Sequence, residues 1–164
     1  IMMNHSSFAD VFLSVQPLKG KYTAILASFN FKIPIWGGML RAFNAIPIYR
    51  KDRIKAIKGI RQAERIINEL GYHVVIFPEG TRTTDNKLQP FKKGGFHMAI
   101  NTNTPIIPIA VKGAFDYKPK TRWYIKPSII NIKVGDPIQV KDYKLTDVNL
   151  LLEKTYNQIE ELLK

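Results

Sequence analysis

The sequence has no cysteine, and this absence removes several kinds of chemistry at once. Without thiols the chain cannot form disulfide bonds, thiolate metal sites or a cysteine nucleophile. Histidine is also scarce, and its three copies, His5, His73 and His97, are scattered along the chain. We therefore predict no metal site, and the candidates for reactive groups are hydroxyls, carboxylates and single imidazoles.

Acidic residues are few as well. The chain carries 13 Asp and Glu residues against 25 Lys and Arg residues, so its formal net charge is +12. Such a charge favours anionic partners: nucleic acid, an anionic membrane surface or phosphorylated small molecules. Because the sequence shows no zinc-finger spacing, basic zipper or aromatic RNA-binding motif, we expect no nucleic-acid partner.

No stretch of the sequence is typical of a transmembrane helix. The longest run without a formal charge, residues 94–111, is long enough to span a bilayer but contains the turn-like stretch 101–105. A signal peptide is not recognisable, because a basic segment and a cleavage site are lacking. The chain starts abruptly before a motif at Asn4, and we expect that residues upstream of Ile1 are missing.

The remaining pattern predicts one α/β domain. Apolar residues recur every three or four positions from Ile54 to Leu70, which predicts an amphipathic helix that is capped by Asp52 and ended by Gly71. We also predict helices at about 8–18, 35–43, 95–102 and 146–163, and strands at 1–3, 22–27, 45–49, 73–77, 106–111 and 128–134. The predicted fold is a single layered domain, residues 1–164, with a mixed, largely parallel sheet flanked by helices.

The segment from Asn4 to Asp10 contains a candidate acid–base pair. An imidazole can accept a proton at neutral pH, and it is a better base when a carboxylate fixes its tautomer. Five residues along a regular helix turn through about 500°, so side chains with that spacing diverge. His5 and Asp10 can meet only if His5 lies in a loop before a helix that Ser6 or Ser7 caps. Alternatively, His5 is a surface residue without this contact.

A second candidate site, Phe-Pro-Glu-Gly-Thr-Arg at residues 77–82, follows the predicted strand 73–77. Ligands of open α/β sheets bind at the carboxyl ends of the strands, where this segment is expected. Gly80 lets the backbone approach a ligand closely, Thr81 offers a hydroxyl, and Arg82 offers a planar fork that matches phosphate oxygens. The segment is also compatible with an ordinary strand exit in which Glu79 and Arg82 are solvated.

Together the two segments resemble the motifs of the glycerophospholipid acyltransferase family, and in particular its bacterial 1-acylglycerol-3-phosphate acyltransferases. The family pattern is Asn-His-x-x-x-x-Asp followed by Phe-Pro-Glu-Gly-Thr-Arg, here residues 4–10 and 77–82. Further blocks occur in the family's order: a short apolar strand that ends at Arg50, the segment 90–94 around Lys93, and a proline-containing strand at 104–109. The resemblance covers residues 4 to about 138.

The resemblance implies an O-acyltransferase of phospholipid biosynthesis. It implies transfer of a fatty acyl group from acyl-CoA or acyl carrier protein to 1-acylglycerol-3-phosphate, which gives phosphatidic acid, and no cofactor besides the donor. In the family's terms, His5 is the general base and Asp10 orients it. The residues implied in substrate binding are Arg50, Glu79, Gly80, Thr81, Arg82 and Lys93.

The resemblance also implies association with the cytoplasmic face of a membrane. Members of the family usually carry N-terminal membrane-anchoring helices, which this sequence does not include, and its basic residues suit an anionic membrane surface. Within an apolar-rich stretch at residues 29–43, most side chains are expected in the core. Trp36 and Met39 are candidates for the wall of an acyl tunnel or for a membrane-facing patch.

Several alternatives stay open. Ala45 and Tyr49 replace a glycine and a polar residue that are usual in the family, so glycerol-3-phosphate and other lysolipids remain possible acceptors. A covalent route through Ser6 or Ser7 is conceivable, although helix capping accounts for both serines. Outside the transferases, the chain could be a lipid- or nucleic-acid-binding module without catalysis, or a hydrolase that transfers the acyl group to water.

Overall fold

The structure, a computed structural model, describes residues 1–13 and 19–164. The chain divides into two compact units, the first comprising Ile1–Lys19 and Phe77–Lys164 and the second comprising Gly20–Ile76. Each unit contains strands and helices, and the predicted α/β class is confirmed. Within the described ranges, no helix combines the length and the apolar character needed to cross a membrane.

The first unit contains a mixed three-stranded sheet. Its central strand, β5 (Pro108–Lys112), pairs in parallel with β1 (Met2–Met3) and antiparallel with β6 (Asn131–Val134). Residues 108–111 of β5 are all buried, as expected for a strand that is covered on both faces. This sheet places the end of β1, and with it the segment around His5, beside the centre of the unit.

In the described part of the first unit, four α-helices accompany this sheet: α1 (Asp10–Leu13), α4 (Gly94–Asn101), α5 (Ala114–Tyr117) and α6 (Val148–Leu163). A short 3₁₀ helix, Leu145–Asp147, precedes α6. Helix α6 packs against both β5 and α4. Its buried residues recur at helical spacing, which gives the helix one apolar face towards the core. A large cluster of buried side chains in this unit comprises Met2, Phe91, Phe96, Ala99, Ile106, Ile138, Val140, Val148, Leu151 and Ile159.

The second unit contains a parallel three-stranded sheet. Its strands β2 (Tyr22–Ala27), β3 (Ile46–Ile48) and β4 (His73–Val75) lie in the order β3-β2-β4. Pro47 therefore lies in an edge strand, the position in which a sheet tolerates proline, because proline has no N–H group to donate to a neighbouring strand. Helix α2 (Trp36–Ala42) lies between β2 and β3 in the sequence, and α3 (Arg53–Leu70) lies between β3 and β4.

The ends of α3 match the sequence prediction. The Asp52 carboxylate accepts a hydrogen bond from the Lys55 N–H group at 3.0 Å, which satisfies one of the free N–H groups of the first turn. Gly71 follows the helix in the left-handed conformation, with a φ angle of 65°, which glycine adopts without a steric penalty. Local sequence signals therefore set both boundaries of this helix.

The predictions of strand pairing, of the first helix and of the surroundings of Trp36 and Met39 are confirmed only in part. The mixed, largely parallel pairing is confirmed, but the strands are divided between two three-stranded sheets, one in each unit. Of the helix predicted at about 8–18, the structure shows Asp10–Leu13, and residues 14–18 lie outside the described ranges. Trp36 packs against the buried cluster of Phe31, Leu40 and Ala45, whereas Met39 is 46% exposed.

Candidate active site

His5 and Asp10 are in direct contact, in the geometry that their spacing requires. The His5 Nδ1 atom lies 2.9 Å from the Asp10 Oδ2 atom. His5 lies in the loop between β1 and α1, while Asp10 is the first residue of α1, so the imidazole reaches back to the start of the helix. The Asp10 side chain is fully buried, and the His5 side chain is 16% exposed. The pair therefore joins a buried carboxylate to an imidazole that solvent or a ligand can reach.

The Asp10 carboxylate is held in place by backbone donors. Its Oδ2 atom also accepts hydrogen bonds from the N–H groups of Ser6 and Ser7, each at 2.7 Å. A carboxylate in this position accepts a hydrogen bond from the Nδ1–H group of a neutral His5, which leaves Nε2 as the nitrogen with a free lone pair. Among the described residues, Nε2 has no hydrogen-bond partner, and it is the atom that can act as a base.

The serines beside His5 have structural roles. The Ser7 hydroxyl donates a hydrogen bond to the Lys118 carbonyl oxygen at 2.8 Å and accepts one from the Ala9 N–H group at 3.2 Å. The N–H groups of Ser6, Ser7 and Ala9 are thus all used within the loop and are not free to hold a developing oxyanion. The geometry agrees with capping of the helix by Ser7 and does not favour a covalent route through the Ser7 hydroxyl.

Asn4 anchors the loop on its other side. Its side-chain amide donates to the Val111 carbonyl oxygen at 2.9 Å, and its side-chain oxygen accepts from the Val111 N–H group at 2.7 Å. These two hydrogen bonds tie the end of β1 to the neighbouring strand β5. Asn4 belongs to the first motif, and in the structure its side chain fixes the backbone next to His5.

The second motif forms a tight turn in the same unit. The Gly80 N–H group donates to the Phe77 carbonyl oxygen at 2.9 Å, and Gly80 has a φ angle of 74°. A Cβ atom at this position would lie 2.9 Å from the side chain of Lys92. The backbone conformation therefore favours glycine here, whereas the exposed Lys92 side chain could move away from a Cβ atom.

Three contacts connect His5 to the second motif and to Thr83, which follows it. The His5 N–H group donates to the Glu79 Oε1 atom at 2.5 Å, and the His5 carbonyl oxygen accepts from the Thr83 N–H group at 2.8 Å. The His5 ring stacks on the ring of Phe77 with a distance of 4.1 Å between centroids. His5 and Glu79 are 74 residues apart in the sequence, and the fold joins their two motifs into one site.

The buried Glu79 side chain binds both the segment around His5 and the loop that follows the second motif. Its Oε2 atom accepts a hydrogen bond from the Gln89 N–H group at 2.9 Å, while Oε1 binds the N–H group of His5. Burial raises the pKa of Glu79 to about 7, although the N–H groups of Gln89 and His5 favour its charged form. Both oxygens are thus engaged with backbone, which favours a positioning role over the predicted contact with an acceptor.

The loop between Glu79 and α4 is cross-linked by hydrogen bonds that the sequence pattern did not indicate. The Thr83 hydroxyl donates to the Asp85 carboxylate at 2.7 Å, and the same carboxylate accepts from the Gln89 side chain at 3.0 Å. Hydrogen bonds from Thr83 and from the Lys87 N–H group hold the pKa of Asp85 below its ordinary value. The loop is rich in Thr, Asp and Asn, side chains that bond readily to one another and to nearby backbone, but this composition does not specify the pairs.

The cationic side chains predicted for the site differ in their surroundings. Arg82 is half-buried, Lys93 is exposed just before α4, and Thr81 is exposed. In the part of the chain that the structure describes, neither Arg82 nor Lys93 has a carboxylate partner, so both are available to an anion. Arg50 belongs to the second unit, where it follows β3 and is exposed. Among the described residues, no group of histidines and carboxylates is arranged to hold a metal ion.

The raised pKa of Glu79 predicts a measurable dependence of stability on pH. The carboxyl group has an ordinary value of 4.5 in an unfolded chain and about 7 in the folded protein, so the folded state binds the proton more tightly. Its contribution to stability is therefore greatest below pH 4.5 and is lost as the pH rises through 7. We expect the parent to lose about 2 to 3 kcal/mol relative to Glu79→Gln between pH 5 and pH 8.

Urea unfolding of the parent and of Glu79→Gln at both pH values measures this difference. Asp142→Asn, at an exposed position of the same unit, is the matched control and should follow the parent at both pH values. A difference between the parent and Glu79→Gln that is constant across this range would contradict a shifted Glu79.

Comparison with known proteins connects this geometry to a family. The model of a family described as Acyltransferase matches residues 1–112. The chain is 30% identical over 150 residues to the 1-acyl-sn-glycerol-3-phosphate acyltransferase of Cocos nucifera, covering 92% of this chain and 49% of that relative. It is 34% identical over 129 residues to the enzyme of that name from Haemophilus influenzae, covering 79% and 53%. The chain spans about half the length of the curated relatives it matches.

A solved structure is similar as well. The crystal structure of the 1-acyl-sn-glycerophosphate (LPA) acyltransferase PlsC from Thermotoga maritima matches with a TM-score of 0.80 and 26% sequence identity. The match covers 98% of this chain and 64% of that chain. The similarity therefore extends over nearly the whole chain, which carries the two motifs and the strands that position them.

Proposed function

The chain belongs to the acyltransferase family, and from that premise we propose that it transfers a fatty acyl group from an acyl thioester to the hydroxyl of 1-acylglycerol-3-phosphate. The observation that carries the proposal is the His5–Asp10 pair, in which a buried carboxylate orients an imidazole whose second nitrogen is free within the described chain. The names of the relatives from Cocos nucifera and Haemophilus influenzae support the choice of acceptor.

In the proposed reaction, His5 acts as general base. Nε2 removes the proton from the acceptor hydroxyl as its oxygen attacks the thioester carbonyl, and the tetrahedral intermediate then expels the thiolate. The proton passes from the imidazolium to the leaving sulfur, so the products are an ester and a thiol. Asp10 stabilises the imidazolium while it carries the proton. No covalent intermediate with the enzyme is required.

The phosphate of the acceptor would be held by cations near the second motif. Arg82 is the main candidate, because its side chain is half-buried and has no carboxylate partner in the described ranges. A guanidinium group binds two phosphate oxygens at once, which also orients the ligand. Lys93, in the same unit, is a further cation, and Gly80 and Thr81 would form the wall of the acceptor pocket. Arg50 belongs to the second unit, and its role in substrate binding is implied by the family resemblance alone.

The donor and the location form part of the same proposal. We propose acyl-CoA or acyl carrier protein as donor, with no further cofactor, because a thioester supplies the activated acyl group by itself. The acceptor is an amphiphile that resides in a bilayer, so the protein would act at a membrane, on its cytoplasmic face. The net charge of +12 suits a surface that contains anionic lipids.

The replacement Arg82→Ala tests the acceptor site. It removes a charge-assisted contact to phosphate, so we expect kcat/KM for a phosphorylated acceptor to fall about 10- to 100-fold. Hydrolysis of the thioester by water does not use the phosphate and is expected to change little. Assays of both rates on the same variant give the comparison, with Arg61→Ala, an exposed arginine on α3, as the matched control.

The same assay separates the transferase from a hydrolase. If the physiological acceptor were water, Arg82 would have no acceptor phosphate to bind, and Arg82→Ala would leave the ratio of transfer to hydrolysis unchanged. Equal losses in both rates would remove Arg82 from the acceptor site. A loss confined to transfer supports a phosphorylated acceptor and argues against the hydrolase.

A further inference from the structure

One exposed segment of the first unit has no role in the proposed reaction. We name residues 118–129 the basic aromatic loop; it connects α5 to β6. Its apolar side chains are turned to solvent: Trp123 is 89% exposed, Ile125 60% and Ile129 82%. A single exposed apolar residue is ordinary, but several together mark a surface that contacts another phase or molecule.

The charge of this loop is entirely of one sign. It carries Lys118, Lys120, Arg122 and Lys126, and no acidic residue occurs between Asp116 and Asp136. The loop therefore offers aromatic and aliphatic groups within a cluster of cations. Trp and Tyr beside Lys and Arg are the residues that proteins place at the boundary between headgroups and hydrocarbon.

The loop is ordered by its own contacts. The Arg122 guanidinium group donates to the carbonyl oxygens of Asp116, Tyr117 and Tyr124, and the Lys118 ammonium group donates to the carbonyl oxygen of Arg122. The Arg122 guanidinium also lies over the Tyr124 ring, with a distance of 5.2 Å to its centroid. These groups bind the backbone on either side of Trp123, whose side chain is exposed to solvent.

The loop is joined to the candidate active site. The Ser7 hydroxyl donates to the Lys118 carbonyl oxygen at 2.8 Å, and Ser7 lies two positions after His5. Both groups belong to the first unit. A partner that seats on the loop is therefore held close to the segment that carries the proposed base.

We propose that the basic aromatic loop is a lipid-contacting surface that docks on a bilayer containing anionic lipids, with Trp123 in the interface and Lys120 and Lys126 against lipid phosphates. The choice of lipid over an acidic protein follows from the shape and chemistry of the loop. Its apolar groups protrude instead of lining a groove, and a fluid interface accepts protruding rings. The inference rests on the proposed function in that the acceptor resides in the bilayer.

Vesicle binding tests the proposal. Phosphatidylcholine vesicles with and without about 30 mol% phosphatidylglycerol, an anionic lipid, would be sedimented with the parent and with Lys120→Ala/Lys126→Ala. Two cations near the surface contribute about fivefold each to partitioning, so the double variant should bind the anionic vesicles about 25-fold more weakly. Lys141→Ala/Lys154→Ala, two exposed lysines of the same unit, is the matched control and should bind like the parent.

Trp123 provides a direct readout. The protein has two tryptophans, and Trp36 is half-buried, so the difference between the parent and Trp123→Phe isolates the signal from the loop. We expect a blue shift and quenching by brominated lipids in the parent, and neither in Trp123→Phe. Absence of vesicle binding, unchanged Trp123 emission on bound protein, or equal binding by both double variants would overturn the proposal.

The outcomes also separate this proposal from its alternatives. Loss of binding to an acidic acyl carrier protein, with vesicle binding intact in Lys120→Ala/Lys126→Ala, would assign the loop to a protein partner and overturn the lipid surface. His5→Ala should bind vesicles like the parent, because the loop is unchanged. If the parent binds vesicles but transfers no acyl group, the result contradicts the proposed function and leaves the lipid-contacting loop standing. If the parent transfers the acyl group to a detergent-dispersed acceptor but binds no vesicles, the result contradicts the lipid-contacting loop and leaves the proposed function standing.

Discussion

His5→Ala is expected to lower the rate of acyl transfer by about 10²- to 10⁴-fold, the range that a positioned general base contributes. The expectation follows from one atom: within the described chain, Nε2 of His5 is free, while Nδ1 is bound to Asp10 at 2.9 Å. Alanine removes the proton acceptor and leaves the acceptor hydroxyl without a base. Steady-state rates with saturating donor and acceptor give the measurement.

His97→Ala is the control for His5→Ala. His97 is exposed on α4, in the same unit, and should retain the activity of the parent. Thermal unfolding of both variants shows whether the loss is chemical, because the His5 side chain also stacks on Phe77 and its removal carries some cost in stability. A His5→Ala variant that is folded and as active as His97→Ala would contradict the mechanism.

Asp10→Asn is expected to lower acyl transfer by about 10²- to 10⁴-fold, comparable to the loss of the base itself. The Oδ2 atom of Asp10 accepts from the Ser6 and Ser7 N–H groups in addition to His5. An asparagine that keeps its oxygen in that place still accepts three hydrogen bonds but carries no charge to stabilise the imidazolium. An asparagine that is flipped turns its NH₂ group towards these donors.

The side-chain amide that Asp10→Asn introduces would also affect folding. The Asp10 Oδ1 atom is buried and, among the described residues, has no hydrogen-bond partner, so an NH₂ group there would be left unsatisfied. We expect a loss of stability of about 1 to 3 kcal/mol. Asp142→Asn, at an exposed position of the same unit, should change neither activity nor stability. Full transfer activity in a folded Asp10→Asn protein would show that His5 does not depend on the carboxylate.

Local sequence patterns predicted most of the elements, although not the short helix α5, and they predicted the contact between His5 and Asp10. The apolar spacing and the caps of α3 are signals within a few residues of each other, and the strand–loop–helix pattern around Ser6 placed His5 within reach of Asp10. These predictions held because each depends on the backbone conformation of a short segment, which the side chains of that segment largely determine.

The contacts that hold the site together could not be predicted in this way. Asn4 binds the backbone of Val111, 107 residues away, and Glu79 binds the N–H groups of His5 and Gln89. Every residue except proline has a backbone N–H group, so the sequence does not show which of these groups a side chain binds. A glutamate that binds two backbone N–H groups therefore cannot be distinguished by sequence from one that binds a ligand. The division of the strands between two sheets was hidden for the same reason, since strand partners are chosen by the whole chain.

The acceptor of the acyl group is the central claim, and a product analysis tests it most directly. The protein would be mixed with an acyl-CoA and with 1-acylglycerol-3-phosphate, glycerol-3-phosphate, other lysolipids or no acceptor, and the products would be identified by mass spectrometry. The proposed chemistry predicts phosphatidic acid as the main product, formed with one equivalent of free thiol and absent with His5→Ala. Free fatty acid as the only product, with every phosphorylated acceptor left unchanged by the folded, membrane-reconstituted protein, would contradict it.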